Sequence, residues 1–213
     1  MKTKSIWNEP NERFYKYLKN VEKYNLEKNI LVIGCSDGTY VIPAARKGFY
    51  VTALDIDKSA IYGSEPIMID NKYIENIGLE GRLKKENLCD KVYYEVCDYM
   101  KWKSEKKYSL IFTSGSIHYE FNTKYNADDM IYKMIDMLCN NGILLLEYIH
   151  EDENTDNNRH FVTKSFIEKI LKNRNDIRIL SHKVKTYIEQ ANPRENKVHT
   201  IKWGRIYIQK LSK

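Results

Sequence analysis

No apolar run in the 213 residues approaches the roughly 20 that a membrane-spanning helix needs. The first residues contain no apolar core of the secretory kind, so a cytoplasmic protein is expected. Cysteine is sparse: Cys35, Cys89, Cys97 and Cys139 stand apart, with no C-x-x-C pair. That argues against a disulfide frame or a zinc site and for reduced thiols, and no metal is expected. Blocks of one charge are missing as well. The net charge of +6 comes from lysines and arginines interleaved with Asp and Glu, and Lys, Asn, Ile and Tyr are plentiful throughout. A nucleic-acid partner is therefore not expected, though charge alone leaves it open. The length suits one well-buried domain and is short for two.

What is present is concentrated between Asn29 and Asp57. Ile30 to Ile33 is short and β-branched, as in a strand buried on both faces. Gly34 and Gly38 then bracket Cys35, Ser36 and Asp37. Thr39 to Lys47 has helical spacing, with Val41, Ala44 and Ala45 on one side and Pro43 in an early turn. Gly48 suits the position just past a helix end. A second strand, Tyr50 to Leu54, stops at Asp55. Strand, glycine turn, helix, strand and acid form the first half of a nucleotide-binding α/β unit. Glycines let a backbone approach a ligand closely, and an acid about twenty residues on can accept both ribose hydroxyls.

IGCSDG followed by ALDID resembles motif I and the acidic second-strand end of the class I S-adenosylmethionine-dependent methyltransferases. Gly34, Gly38 and Asp55 match that pattern. Val32 stands where the family usually has an acid, and Ser36 where it has the middle glycine. Dehydrogenases share the architecture but use a three-glycine turn to hold a pyrophosphate. The resemblance implies S-adenosyl-L-methionine as cofactor, held by Gly34, Cys35, Ser36, Asp37, Gly38, Asp55 and Ile56. It also implies a seven-stranded, mostly parallel α/β sheet in the order 3-2-1-4-5-7-6, its last strand antiparallel, with helices on both faces.

Along the chain, Phe14, Tyr17, Leu18, Val21 and Tyr24 recur at helical spacing within residues 1–26, with Asn8 or Asn11 as a cap. In the family such a helix often covers the pocket, which makes Trp7, Phe14 and Tyr15 candidate lid residues and Tyr15 a candidate substrate contact. Packing on the sheet is the competing role. Ile56 to Met68 reads as a local elaboration and Ile67 to Asn87 as a longer helix weakened by Gly78 and Gly81. Lys84, Lys85 and Lys91 read as a solvated face.

Val92 to Val96 is the third strand. By resemblance Asp98 at its end accepts from the adenine amino group, with Cys97 and Tyr99 as neighbours. Cys97 lacks the flanking residues of a cytosine-methylating nucleophile. Tyr108 to Thr113 is the fourth strand, and the loop after it places Ser114 and Gly115 beside the cofactor and His118, Tyr119 and Glu120 toward the substrate. The Asn/Asp-Pro-Pro-aromatic motif of amino methyltransferases is missing here. His118 is the candidate base, because an imidazole titrates near working pH; capping the next helix is its other role. Ala127 to Leu138 is a core helix. GILLLEYIHE is a central strand ending in Glu147 and His150, both candidate substrate contacts, and Asp152 to Asn158 is a polar loop. Thr163 opens another helix. Two alternating strands around ANPRENK then form a terminal hairpin.

The expectation is one methyltransferase domain over residues 1–213, with a lid at 1–26 and a core at 29–213. It would transfer a methyl group to an O, N or S nucleophile of a small molecule. RNA or protein methylation, and cofactor binding without catalysis, are the alternatives. Neither the acceptor nor the oligomeric state is legible.

Overall fold

A computed structural model describes residues 2–7, 10, 12–117, 124–150, 162–193 and 196–212. The chain divides into two compact units, Met1–Ser104 with Ile188–His199, and Glu105–Tyr187 with Thr200–Lys213. The first unit carries α1 (Glu12–Lys23), β1 (Asn29–Ile33), α2 (Val41–Arg46), β2 (Tyr50–Asp55), α3 (Lys58–Tyr62), β3 (Ser64–Ile69), β4 (Lys72–Asn76), α4 (Gly78–Glu86) and β5 (Val92–Val96). The second carries β6 (Tyr108–Ser114), α5 (Ala127–Asp136), β7 (Leu138–Ile149), α6 (Lys164–Leu171) and most of β8 (Ile177–Glu189) and β9 (His199–Lys210). Seven strands form a sheet in the order β5-β2-β1-β6-β7-β9-β8, and β3 pairs with β4 in a separate two-stranded sheet. With β3 and β4 set aside as an insertion, this is the order 3-2-1-4-5-7-6 expected from the sequence.

The strands follow from their composition. Ile30 to Ile33 of β1 are all buried and pair in parallel with Val51 to Leu54 of β2, while β2 pairs in parallel with β5. In the second unit β6 and β7 are parallel, buried from Tyr108 to Thr113 and from Gly142 to Ile149, and β9 runs antiparallel to β7 from Ile143↔Gln209 to Ile149↔Trp203. Continuous apolar runs suit such two-sided burial. On α5, Met130, Ile131, Met134 and Ile135 make the buried stripe; on α6, Thr163 caps the first turn by accepting from the Phe166 amide at 3.1 Å.

Two expectations need correction. Residues 64–76 are a hairpin, so the helix expected over Ile67 to Asn87 is confined to Gly78–Glu86. Asp70 and Asn71 adopt φ of +51° and +56°, the left-handed pair that a two-residue turn requires, and Ile69↔Lys72 closes the ladder. Ile67, Ile74 and Ile77 had mimicked a helical stripe, but Ile67 and Ile74 are cross-strand partners in the hairpin. On α1, Phe14, Leu18 and Val21 are buried as expected, whereas Tyr24 lies past the helix end and is exposed. Asn8 and Asn11 lie outside the described residues.

Candidate cofactor site

The turn after β1 is held by three left-handed residues: Gly34 at φ +66°, Ser36 at +47° and Gly38 at +91°. Glycine adopts this region freely; Ser36 needs local support. The amides of Gly34 and Cys35 both donate to the Leu54 carbonyl, at 2.8 and 3.0 Å, which ties the turn to the end of β2. Gly34 is exposed, Ser36 is half-buried, and Cys35 and Asp37 are buried. Burial pushes the Cys35 thiol well above its ordinary range, so it is an inert core group. Gly38 is favoured by its φ of +91°, and a Cβ there would also lie 2.6 Å from Leu79 Cδ1, the end of a side chain that would have to shift.

Asp55 caps this arrangement. Its Oδ2 accepts from the Ser36 amide at 2.7 Å and its Oδ1 from the Asp57 amide at 2.9 Å. Burial raises its pKa from the ordinary carboxylate value, partly offset by these two amides. Each oxygen keeps a second lone pair, so the carboxylate can accept two hydroxyls without losing either amide. Ile56 beside it is 43% exposed, an apolar surface next to the acid. The Cys97 amide donates to the Asp55 carbonyl at 2.8 Å, and Asp55↔Val96 pairing sets Cys97 and Asp98 alongside, both half-buried. Asp98 Oδ1 accepts from the Met100 amide at 3.0 Å, and Tyr99 is buried. One unit thus brings together the glycine turn, a ribose-type acid, an apolar contact and a second acid, a set that fits an adenosine moiety.

The sequence did not signal how the N-terminal segment is fastened to this turn. Trp7 Nε1 donates to Ser36 Oγ at 2.7 Å, Ser5 Oγ to Asp37 Oδ1 at 2.6 Å, and the Ile6 amide to Asp37 Oδ2 at 2.9 Å. Asp37 also faces Arg82 at 3.5 Å, and both side chains are almost fully buried. Arg82 donates to the Asp37 carbonyl at 2.8 Å and to Thr3 Oγ1 at 2.9 Å. Thr3 and Arg46 in turn donate to Glu86. Arg82 sits in the basic run GRLKK, so only the fold distinguishes it from Lys84 and Lys85, which are exposed. Phe14 is buried edge-on to Tyr40, a core role, and Tyr15 is half-buried beside it.

In the second unit, Ser114 ends β6 and donates to Glu147 Oε2 at 2.9 Å, while the Gly115 amide donates to the Glu147 carbonyl at 2.9 Å. Arg205 of β9 forms an ion pair with Glu147 Oε1. Glu147 is buried and its charge is balanced within the protein, so it does not present a bare carboxylate to a substrate. His150 bridges to Val162, and its amide donates to the Lys202 carbonyl. Tyr148 crosses Gly204, where a Cβ would lie 2.0 Å from its ring, and bonds His182 Nε2 at 2.7 Å. His182 Nδ1 lies 3.3 Å from Glu168 Oε1. Burial lowers the His182 pKa and raises that of Tyr148. His118 and Tyr119 lie outside the described residues, as does the loop at Asp152 to Asn158.

No protein-family model matches the sequence, and neither does any curated protein sequence. Solved structures do match by shape. TehB from Haemophilus influenzae superposes with a TM-score of 0.68 at 14% identity, over 92% of this chain and 62% of that one. This chain therefore spans less than two thirds of TehB. The N-methyltransferase NodS from Bradyrhizobium japonicum WM9 matches at 0.63 and 15% identity, over 94% and 96% of the two chains. Coclaurine N-methyltransferase, solved with N-methylheliamine and SAH, matches at 0.62 and 14%, over 93% and 73%. The strand order, with β9 antiparallel beside β7, is common ground. The fold is that of the class I methyltransferases. The Gly34–Gly38 turn follows β1 and Asp55 ends β2, the places where the sequence resembles motif I and the second-strand acid. Ser36 replaces a glycine there and uses its hydroxyl to accept from Trp7.

Proposed function

We propose that this protein binds S-adenosyl-L-methionine and transfers its methyl group to an O, N or S nucleophile of a small molecule. The observation that carries the reading is the Asp55 carboxylate. It is aligned by the Ser36 and Asp57 amides and keeps a lone pair on each oxygen for the ribose hydroxyls. Gly34 leaves the turn open at its exposed edge, Ile56 offers an apolar face to the adenine, and Asp98 accepts from its amino group. When bound, the cofactor supplies an electrophilic sulfonium methyl. The protein's part is alignment, because in-line transfer depends mainly on proximity and orientation.

Ser114 and Gly115 are assigned to the methionine end of the cofactor, and Tyr15, Tyr119 and His150 to the acceptor. His118 follows Ser114 closely in sequence and is the residue to take a proton where the acceptor must lose one. Glu147 serves by orienting Ser114 through their hydrogen bond. The small-molecule reading is favoured by the structural neighbours, among them coclaurine N-methyltransferase, solved with N-methylheliamine and SAH. Incubation with methyl-labelled cofactor and a metabolite extract tests the whole reading. Label in a low-molecular-weight product, with release of S-adenosylhomocysteine, supports it. Label in tRNA or protein instead would move the acceptor to a macromolecule. Tight cofactor binding without turnover on any acceptor would make the protein a binder.

A further inference from the structure

We infer that Trp7 is a positioning residue for the cofactor turn, acting through Ser36 on Asp55; the inference rests on the cofactor reading above. Two consecutive hydrogen bonds define the route. The Trp7 indole donates to Ser36 Oγ at 2.7 Å, and the Ser36 amide donates to Asp55 Oδ2 at 2.7 Å. Ser36 stands at φ +47°, a conformation that costs an L-residue free energy and that glycine adopts readily. A side chain at this position needs a reason to be there, and the indole donor supplies it. Held from both sides, Ser36 cannot rotate its amide away from the acid.

The segment that carries Trp7 is itself anchored to the next residue of the turn. Ser5 and the Ile6 amide both donate to the buried Asp37, whose charge is balanced by the buried Arg82. Thr3 is tied to Arg82 and Glu86. Trp7 therefore approaches Ser36 from a fixed base. In a glycine-only turn, rigidity would come from backbone hydrogen bonds alone; here the N-terminal segment contributes it, and the alignment of the ribose-binding acid depends on it.

A double-mutant cycle on the full-length chain tests this. Trp7→Phe keeps the ring and removes the donor, and Ser36→Gly removes the acceptor and the strain. Calorimetry with S-adenosylhomocysteine, and separately with adenosine, should show Trp7→Phe weakening both ligands about three- to tenfold. In the Ser36→Gly background the same substitution should have no further effect. Hydrogen exchange of the ligand-free protein should show the Ser36 amide exchanging faster in Trp7→Phe than in the wild type. Unchanged affinity with a lowered melting temperature would reduce Trp7 to a packing residue and overturn the inference. So would equal losses in both backgrounds, or an unchanged Ser36 amide. A wild-type protein that fails to bind S-adenosylhomocysteine would overturn the cofactor reading instead, and the exchange measurement would still decide the Trp7–Ser36–Asp55 link.

Discussion

At the scale of single residues, Asp55 and Glu86 show opposite uses of a carboxylate. Asp55 is held partly dry, and burial raises its pKa. Such a group contributes least to stability when ionised, and the role proposed for it is to accept the ribose hydroxyls. Asp55→Ala should weaken S-adenosylhomocysteine by about 1.5–3 kcal/mol, the range for hydrogen bonds to a charged group, while melting temperature changes little. Glu86 is the structural case. Burial alone would raise its pKa, but donors from Arg46 and Thr3 overcome this and hold it down at about 2. A carboxylate lowered in the folded state contributes stability above its unfolded pKa, near 4.5, and loses it as pH falls toward about 2. Glu86→Gln should therefore cost about 1–3 kcal/mol at pH 7 by denaturant unfolding, and that cost should shrink steadily between pH 4.5 and 2. A cost independent of pH would detach Glu86 from the Arg46–Thr3 network.

At the scale of elements, two glycine contacts fix how segments meet. Tyr148 on β7 reaches His182 on β8 only because Gly204 on β9 has no side chain. Gly204→Ala should destabilise the protein by about 1–3 kcal/mol through overpacking, and Tyr148→Ala in the same chain should make the Gly204 substitution nearly neutral. Additive losses in that pair would contradict the contact. The β3–β4 hairpin behaves differently. Its two ends meet where a Cβ on Gly78 would lie 2.3 Å from the Gly63 amide nitrogen, so the intervening strands form an excursion from a closed base. Replacing residues 65–75 with a two-residue turn should leave the thermal unfolding of the rest within a few degrees, as seen by circular dichroism. Gly78→Ala should be far more damaging, since it also forbids the φ of +65°.

These two scales show what sequence could and could not reveal. β1, β2, β6 and β7 were legible because short apolar runs between turn signals suit burial on both faces, whereas β5 is an edge strand with only Val92 buried. The turn at Gly34 to Gly38 and Asp55 were legible because few other arrangements place an acid at that spacing after a glycine turn. The hairpin was missed because Ile67, Ile74 and Ile77, spaced by seven and three, fit a helical face, and the Asp70–Asn71 turn signal decides only once its φ values are known. Arg82, Thr3 and Glu86 were invisible for another reason. Their pairing spans 79 to 83 positions of chain, and no local pattern marks a lysine-rich helix residue as the buried one. Ser36 was read as a departure from the motif; its partner Trp7 explains why the departure is tolerated.

At the scale of the whole molecule, the strand order and the antiparallel β9 carry the fold, and the shared shape with NodS and coclaurine N-methyltransferase carries it at 14–15% identity. The proposed function rests on something narrower, the Asp55 carboxylate and its two amide donors in the first unit. The most direct measurement is calorimetric titration of the wild-type chain with S-adenosylhomocysteine, with NAD titrated in parallel. The account predicts saturable one-to-one binding of S-adenosylhomocysteine, weakened about tenfold or more in Asp55→Ala, and no comparable binding of NAD. Equal or tighter binding of NAD, or S-adenosylhomocysteine affinity indifferent to Asp55, would contradict it.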